Sequence, residues 1–244
     1  MHFQPLGTLP DRLDLPGDAL HLWHLPLAAP AEQVVRAARH LAPDEIARAD
    51  RFHFDRDRTA FILARSNLRA ILAAYIGTAP DAVAFRFGDK GKPFLDGPGP
   101  QFNLSHSAAQ GLIAVAPVPV GVDVECIRTV RDARAIAERF FSPAERTALA
   151  TIPDSGLDEA FFTAWTRKEA FIKWSGDGLS MSLDGFDVSL RPGEPARILA
   201  VGGDPRQGEA WSLFDLRPAP GIVGAVVLPR GDWLVSAWCA DFRF

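Results

Sequence analysis

Asp123, Glu125 and Glu169, with Lys173 one helical turn beyond the last, are the side chains of this 244-residue chain whose types and spacing best suit a chemical task. In Gly121-Val-Asp-Val-Glu125 the valines alternate with the acids, so period-two geometry sets Val120, Val122, Val124 and Cys126 on one face of a strand. Asp123 and Glu125 fall on the other, about 6.5–7 Å apart along it. Two carboxylates held this close raise each other's pKa unless a cation neutralises them, and hard oxygen ligands suit magnesium. The same pattern also describes a half-solvated strand whose wet face is acidic. The segment Trp165-Thr-Arg-Lys-Glu-Ala-Phe-Ile-Lys173 favours the metal. Glu159 to Trp174 reads as a helix whose stripe holds Phe162, Trp165, Glu169 and Ile172, with Arg167 and Lys168 pointing away. A glutamate level with three large apolar side chains poorly fits an ordinary surface Glu–Lys pair, although Glu169 and Lys173 have that spacing. Three carboxylates from a strand and a helix would supply the protein share of a magnesium site and leave positions for phosphate oxygens and water.

Lysine usage points the same way. The chain has 26 basic residues but four lysines, Lys90, Lys92, Lys168 and Lys173, in two short segments. Where arginine is the default surface charge, a retained lysine suits a compact ammonium or a proton that must leave. The other lysine segment, Lys90-Gly-Lys-Pro-Phe94, is followed by Phe102-Asn-Leu-Ser-His-Ser107. Glycine- and lysine-bearing turns bind phosphate through backbone N–H groups and the ammonium. The spacing of a P-loop is absent, as are G-x-G-x-x-G and the G-x-S-x-G elbow of a serine hydrolase, so nucleotide hydrolysis, dinucleotide binding and acyl hydrolysis are poorly supported. Ser105 and His106 are neighbours on an extended chain and point apart. His106 reads as a phosphate donor or as a structural hydrogen-bonding residue.

These four segments, in this order, resemble the Sfp-type 4′-phosphopantetheinyl transferases, over residues 40 to 190. The resemblance implies transfer of the phosphopantetheine arm of coenzyme A to a serine of an acyl or peptidyl carrier protein (holo-[acyl-carrier-protein] synthase activity), with release of adenosine 3′,5′-bisphosphate and a magnesium ion on the pyrophosphate. By position it makes Asp123, Glu125 and Glu169 the metal ligands, Glu169 also the base, and Lys173 the lysine beside the pyrophosphate. Ser105 and His106 match the coenzyme A phosphate contacts, and Gly91, Lys92 and Pro93 the adenine and ribose loop, with Lys90 beside it. Arg48 matches the 3′-phosphate contact best, followed by Arg51, Arg58 and Arg65. Where some members carry a further lysine, this chain has Glu45. The family fold implies two similar α/β halves in a pseudo-twofold arrangement, expected here at 1–117 for the coenzyme A contacts and 118–244 for magnesium and catalysis.

The elements that must hold these groups are legible as helices over Pro43 to Ala74, Ser142 to Ala150 and Glu159 to Trp174. Strands are expected at Val83 to Phe87, across Asn103 to Val124, and at Gly185 to Leu190, Ala210 to Leu216, Gly221 to Leu228 and Trp233 to Ala240. Helices covering mainly antiparallel sheets give an α+β class. An apolar content of 48% allows a sizeable core, and the net charge of −4 argues against general nucleic-acid binding. Arg36 to Arg69 nevertheless carries eight arginines against five acids, a local excess of three that suits a polyanionic ligand. The apolar run Leu112 to Val120 is too short to span a bilayer, and Met1 to Gly17 lacks the pattern of a secretion signal, so no membrane role and a cytoplasmic location are expected. Cys126 and Cys239 form no disulfide framework or metal pattern. A monomer is the default expectation. A magnesium enzyme acting on another pyrophosphate and a non-catalytic binder of coenzyme A or carrier protein are the alternatives.

Overall fold

The computed structural model describes residues 1–176, 181–240 and 242, and its backbone divides into two compact units, with the chain passing from the first to the second at Pro117/Val118 and back at Asp232/Trp233. The class is α+β. Among the described residues no helix is long and apolar enough to cross a membrane.

The first unit is a five-stranded sheet backed by helices. Strands β1 (Gln4–Leu6), β2 (Ala19–Pro26), β5 (Gln101–Ser107), β6 (Gln110–Ala116) and β12 (Leu234–Ala240) lie in the order β1-β12-β2-β6-β5. β2, β6 and β5 are antiparallel neighbours, whereas β12 lies parallel to both β1 and β2. The sheet is therefore mixed, and the C-terminal strand belongs to the N-terminal unit rather than to the half that precedes it. That placement rests on pairing over some two hundred residues of sequence, which local patterning cannot show. Helices α1 (Ala31–Ala37), α2 (Pro43–Ala49) and α3 (Asp55–Ile76) contribute to a core in which Trp23, Leu25, Phe61, Leu68, Leu72, Phe102 and Ile113 are buried. The single helix expected over Pro43 to Ala74 is thus two. The break falls at Asp50–Phe54, where β-forming aromatics interrupt the Ala- and Arg-rich helix formers. A small hairpin, β3 (Phe85–Phe87) with β4 (Pro93–Leu95), packs Phe85 against Phe102.

In the second unit β10 (Trp211–Leu216), β11 (Ile222–Pro229) and β7 (Gly121–Cys126) form an antiparallel sheet in that order. Helix α6 (Asp154–Ser175) lies on β7 and β11 and is joined by α4 (Ala133–Phe140), α5 (Pro143–Ala150) and the strand pair β8 (Phe186–Val188) and β9 (Ile198–Val201). One turn of helix, α7 (Pro205–Gly208), precedes β10. α5 opens on the Ser-Pro signal, with the Ser142 hydroxyl accepting from the Glu145 N–H and the Glu145 carboxylate accepting from the Ser142 N–H. Phe141, Phe161, Phe162, Phe171 and Phe186 fill the core together with Val223, Ala225 and Val227 of β11.

Candidate active site

The strand β7 and the helix α6 meet at Gly121. A Cβ built on this residue would sit 2.1 Å from the Ala170 carbonyl oxygen and 2.2 Å from the Trp174 nitrogen, so only glycine permits the approach. The consequence is that Asp123, two residues along the strand, lies against the same face of α6 that carries Glu169 and Lys173. Gly121→Ala is expected to cost about 1–3 kcal/mol or more, because backbone atoms must part to admit the methyl group. Thermal unfolding measures that cost. Any catalysis at this seam should fall with it, because the separation moves Asp123 away from α6.

Asp123 is 4% exposed, and its Oδ1 accepts from the Lys173 ammonium at 2.6 Å. Lys173 thus reaches across to the strand instead of serving only as a helical neighbour of Glu169. Glu125 is half-buried further along β7 and takes Arg128 Nη1 at 3.3 Å. Glu169 is half-buried on α6. Burial holds its carboxyl above the usual range, Asp123 and Glu125 push it the same way, and Lys173 opposes them. Strand acids, helix acid and lysine therefore act on one another electrically. Beside Glu125 opens a cavity of about 440 Å³ with Ile136, Phe161, Phe162 and Trp165 in its lining and Arg128 and Arg131 at its edge.

Among the described residues, no group of three or more His, Cys, Asp or Glu side chains is gathered to hold a metal ion as it stands. In kind the donor set fits magnesium, since it consists of carboxylate oxygens that repel one another in the absence of a cation.

Two residues of the same motif do not point away from the helix's packed face as expected. Arg167 is 4% exposed and Lys168 is fully buried. Arg167 donates to the Ser189 carbonyl and hydroxyl and to Asp215 Oδ1, while Lys168 donates to both oxygens of Glu145 at 2.6 and 2.7 Å and to the Phe186 carbonyl. α6 is enclosed on both sides, by the sheet and by α5 with β8, so a single apolar stripe misrepresents it. Glu145 was not among the residues singled out in the sequence, and its partner Lys168 lies 23 positions away.

The remaining candidates belong to the first unit. On β5, Ser105 is 5% exposed and His106 is exposed, which fits adjacent residues on opposite faces. After their strand comes a tight turn in which Ala108 holds a φ of 49°, a left-handed conformation uncommon for a residue with a side chain. Lys90 to Lys92 lie in the tip of the β3–β4 hairpin and Pro93 opens β4, with Gly91 at φ 81° and the Gly88 N–H donating to the Lys92 carbonyl. Lys92 is half-buried, and that desolvation pushes its ammonium down to about 8. Arg48 and Arg51 are exposed and, with Phe52, line a shallow pocket; Arg48 also lies over the Phe61 ring. Arg65, by contrast, is bound to Glu45 at 2.5 Å, and Arg58 to Asp50 at 3.0 Å. Glu45 also takes Arg69 at 2.6 Å and the Ala42 N–H at 3.0 Å. Its acidity thus has a structural reason: it anchors α2 to α3 by gathering two arginines.

Comparison with known proteins agrees across both units. The model of the 4′-phosphopantetheinyl transferase superfamily matches residues 119–225, and that of the 4′-phosphopantetheinyl transferase N-terminal region matches residues 28–118. The chain is 38% identical over 234 residues to the 4′-phosphopantetheinyl transferase HetI of Nostoc sp., covering 94% of this chain and 95% of that protein. To the 4′-phosphopantetheinyl transferase Sfp of Bacillus subtilis it is 30% identical over 160 residues, which cover 65% of this chain and 70% of Sfp. The rat L-aminoadipate-semialdehyde dehydrogenase-phosphopantetheinyl transferase is 30% identical over 182 residues, 68% of this chain and 58% of its own.

Proposed function

Because this chain belongs to the 4′-phosphopantetheinyl transferase family, we propose that it transfers the 4′-phosphopantetheine arm of coenzyme A to a serine of an acyl or peptidyl carrier protein, as a holo-[acyl-carrier-protein] synthase does. The observation that carries the reading is the seam at Gly121, where Asp123, Glu125, Glu169 and Lys173 act on one another. In the reaction the serine oxygen bonds to the phosphorus that bears the pantetheine arm, the pyrophosphate P–O bond breaks, and adenosine 3′,5′-bisphosphate departs. Magnesium, when held by Asp123, Glu125 and Glu169, offsets the charge of the pyrophosphate. Glu169, directly or through a bound water, takes the serine proton. Lys173 faces the departing phosphate and neutralises or protonates it. Ser105, His106, Lys90, Gly91, Lys92, Pro93, Arg48 and Arg51 bind coenzyme A. The cavity beside Glu125, lined by aromatic and charged side chains, gives the acceptor's surroundings a place to pack.

The test is the intact mass of an apo carrier protein after incubation with this protein, coenzyme A and magnesium. One phosphopantetheine arm should be gained. Coenzyme A binding without any gain across fatty-acid, polyketide and nonribosomal peptide carriers would favour a binding module, and no binding would sink the assignment. Two further outcomes belong to named residues. Lys173→Arg is expected to keep coenzyme A affinity and lower turnover, since arginine carries the charge but gives up no proton at neutral pH; unchanged turnover would remove the proton-donor role. Coenzyme A affinity should also weaken as pH rises from 7 through 9. Lys92 is cationic below about 8 and neutral above it, and an anion binds the cationic form. Calorimetric titration at several pH values should show a steeper decline in the parent than in Lys92→Met, and parallel declines would remove Lys92 from the phosphate contacts.

A further inference from the structure

Three adjacent strands of the first unit place a thiol, an imidazole and an amide in a line on one face. Cys239 of β12 stands opposite His24 of β2, and Gln110 of β6 stands opposite Pro26, two residues beyond His24. Cys239 Sγ is 3.5 Å from His24 Nδ1, and His24 Nε2 is 2.7 Å from Gln110 Oε1. The amide oxygen can only accept, so it requires the proton on Nε2 and leaves the Nδ1 lone pair directed at the thiol. His24 is 3% exposed and Phe3 packs edge-on in a T-shaped contact with its ring; burial lowers the imidazole pKa, while the Gln110 hydrogen bond opposes that shift and supports the ring as it takes up a proton. Cys239 itself is half-buried and in no disulfide.

We propose that Cys239, with His24 as its base and Gln110 fixing the tautomer of that base, is a reactive thiol and a site of thiol–disulfide exchange with small disulfides. In the exchange His24 Nδ1 takes the Cys239 proton and the thiolate attacks one sulfur of the disulfide. The S–S bond of the small molecule breaks, a mixed disulfide forms on Cys239, and the departing thiolate recovers the proton from His24. One disulfide is consumed and one is made, so the small disulfide is the only oxidant required. A half-buried cysteine in apolar surroundings reacts more slowly than an exposed thiol, whereas a histidine-paired one reacts faster.

The two cases separate in a rate measurement on the folded protein. In a Cys126→Ser background, with Cys239 the remaining thiol, glutathione disulfide is added at neutral pH and the mixed disulfide is followed by intact mass and peptide mapping. Folded protein should react about tenfold or more faster than the same chain unfolded in guanidinium. His24→Phe should bring the folded rate to or below the unfolded one. Gln110→Met, at a partly exposed position that tolerates the change, should lower it without loss of fold by circular dichroism. A folded rate no higher than the unfolded rate, or one indifferent to Gln110→Met in a folded protein, overturns the proposal.

Discussion

Glu169→Gln is expected to lower phosphopantetheine transfer by about 100- to 10,000-fold, the usual contribution of a positioned acid or base, and to leave the protein as stable as before or more so. The two halves of that expectation come from the same environment. Glu169 shares its stripe with Phe162, Trp165 and Ile172, and the amide is isosteric, so packing is unchanged. Its ionised form, however, is disfavoured in the folded state by burial and by Asp123 and Glu125. A carboxyl whose folded pKa lies above its unfolded value binds more protons when folded, so its charge subtracts from stability as pH rises through that range. Replacing it with a neutral amide removes the subtraction. Thermal melts at neutral pH in the presence of a chelator should show an equal or higher Tm, while the carrier mass assay shows the loss of turnover. A lower Tm accompanied by a proportionate loss of activity would instead mean that Glu169 holds the fold together.

How far the site was legible in the sequence follows from which contacts are local. Asp123 and Glu125 were readable because a strand's period of two is strict, and the start of α5 because Ser142-Pro143 is a local helix-opening signal. Ser105 and His106 separate onto opposite faces for the same reason. Gly121 is different. Its flanking pattern marks a strand, but the need for glycine arises from Ala170 and Trp174, some fifty positions on, and no local rule announces it. The partnership of Lys173 with Asp123 is likewise a tertiary fact, since the sequence offers the nearer Glu169.

The strands of the first unit divide on the same line. β5 and β6 are joined by a two-residue turn and were expected, whereas β2, buried at Leu20, Leu22, Trp23 and Leu25, lies inside a mixed sheet and reads as a short apolar run without clear alternation. The C-terminal strand could be expected over Trp233 to Ala240, but its position between β1 and β2 could not. On the last long helix, α6, both errors have one origin. A stripe assumes one dry face, and α6 has two, so Arg167 and Lys168 were assigned to solvent although each is buried and multiply bonded.

That burial makes Lys168→Met the most damaging substitution expected outside the catalytic residues. The Lys168 ammonium is enclosed by the two Glu145 oxygens and the Phe186 carbonyl, and it lies 4.2 Å from the centre of the Phe186 ring. Glu145 in turn accepts from the backbone N–H of Ser142 and of Val188, so one carboxylate and one ammonium tie α5, α6 and β8 together. Methionine fills the volume and removes the charge, which leaves a carboxylate buried without its cation. Such a loss costs about 3–5 kcal/mol, equivalent to a fall in Tm of about 6–20 °C for a chain of this size. Glu145→Gln in the Lys168→Met background should recover part of it, because the amide oxygen still accepts from one of the two N–H groups and no charge remains. Burial raises the Glu145 carboxyl and lowers the Lys168 ammonium, while their attraction opposes both shifts. With the lysine gone that opposition ends, and the Glu145 pKa in the folded state must rise further above its unfolded value. The single variant should therefore lose most stability at alkaline pH and recover relative to the parent as pH falls and Glu145 takes up a proton. Chemical denaturation of parent, single and double variants across pH 5 to 9 measures this directly, and a Lys168→Met deficit independent of pH would show that packing, not an orphaned carboxylate, sets the cost.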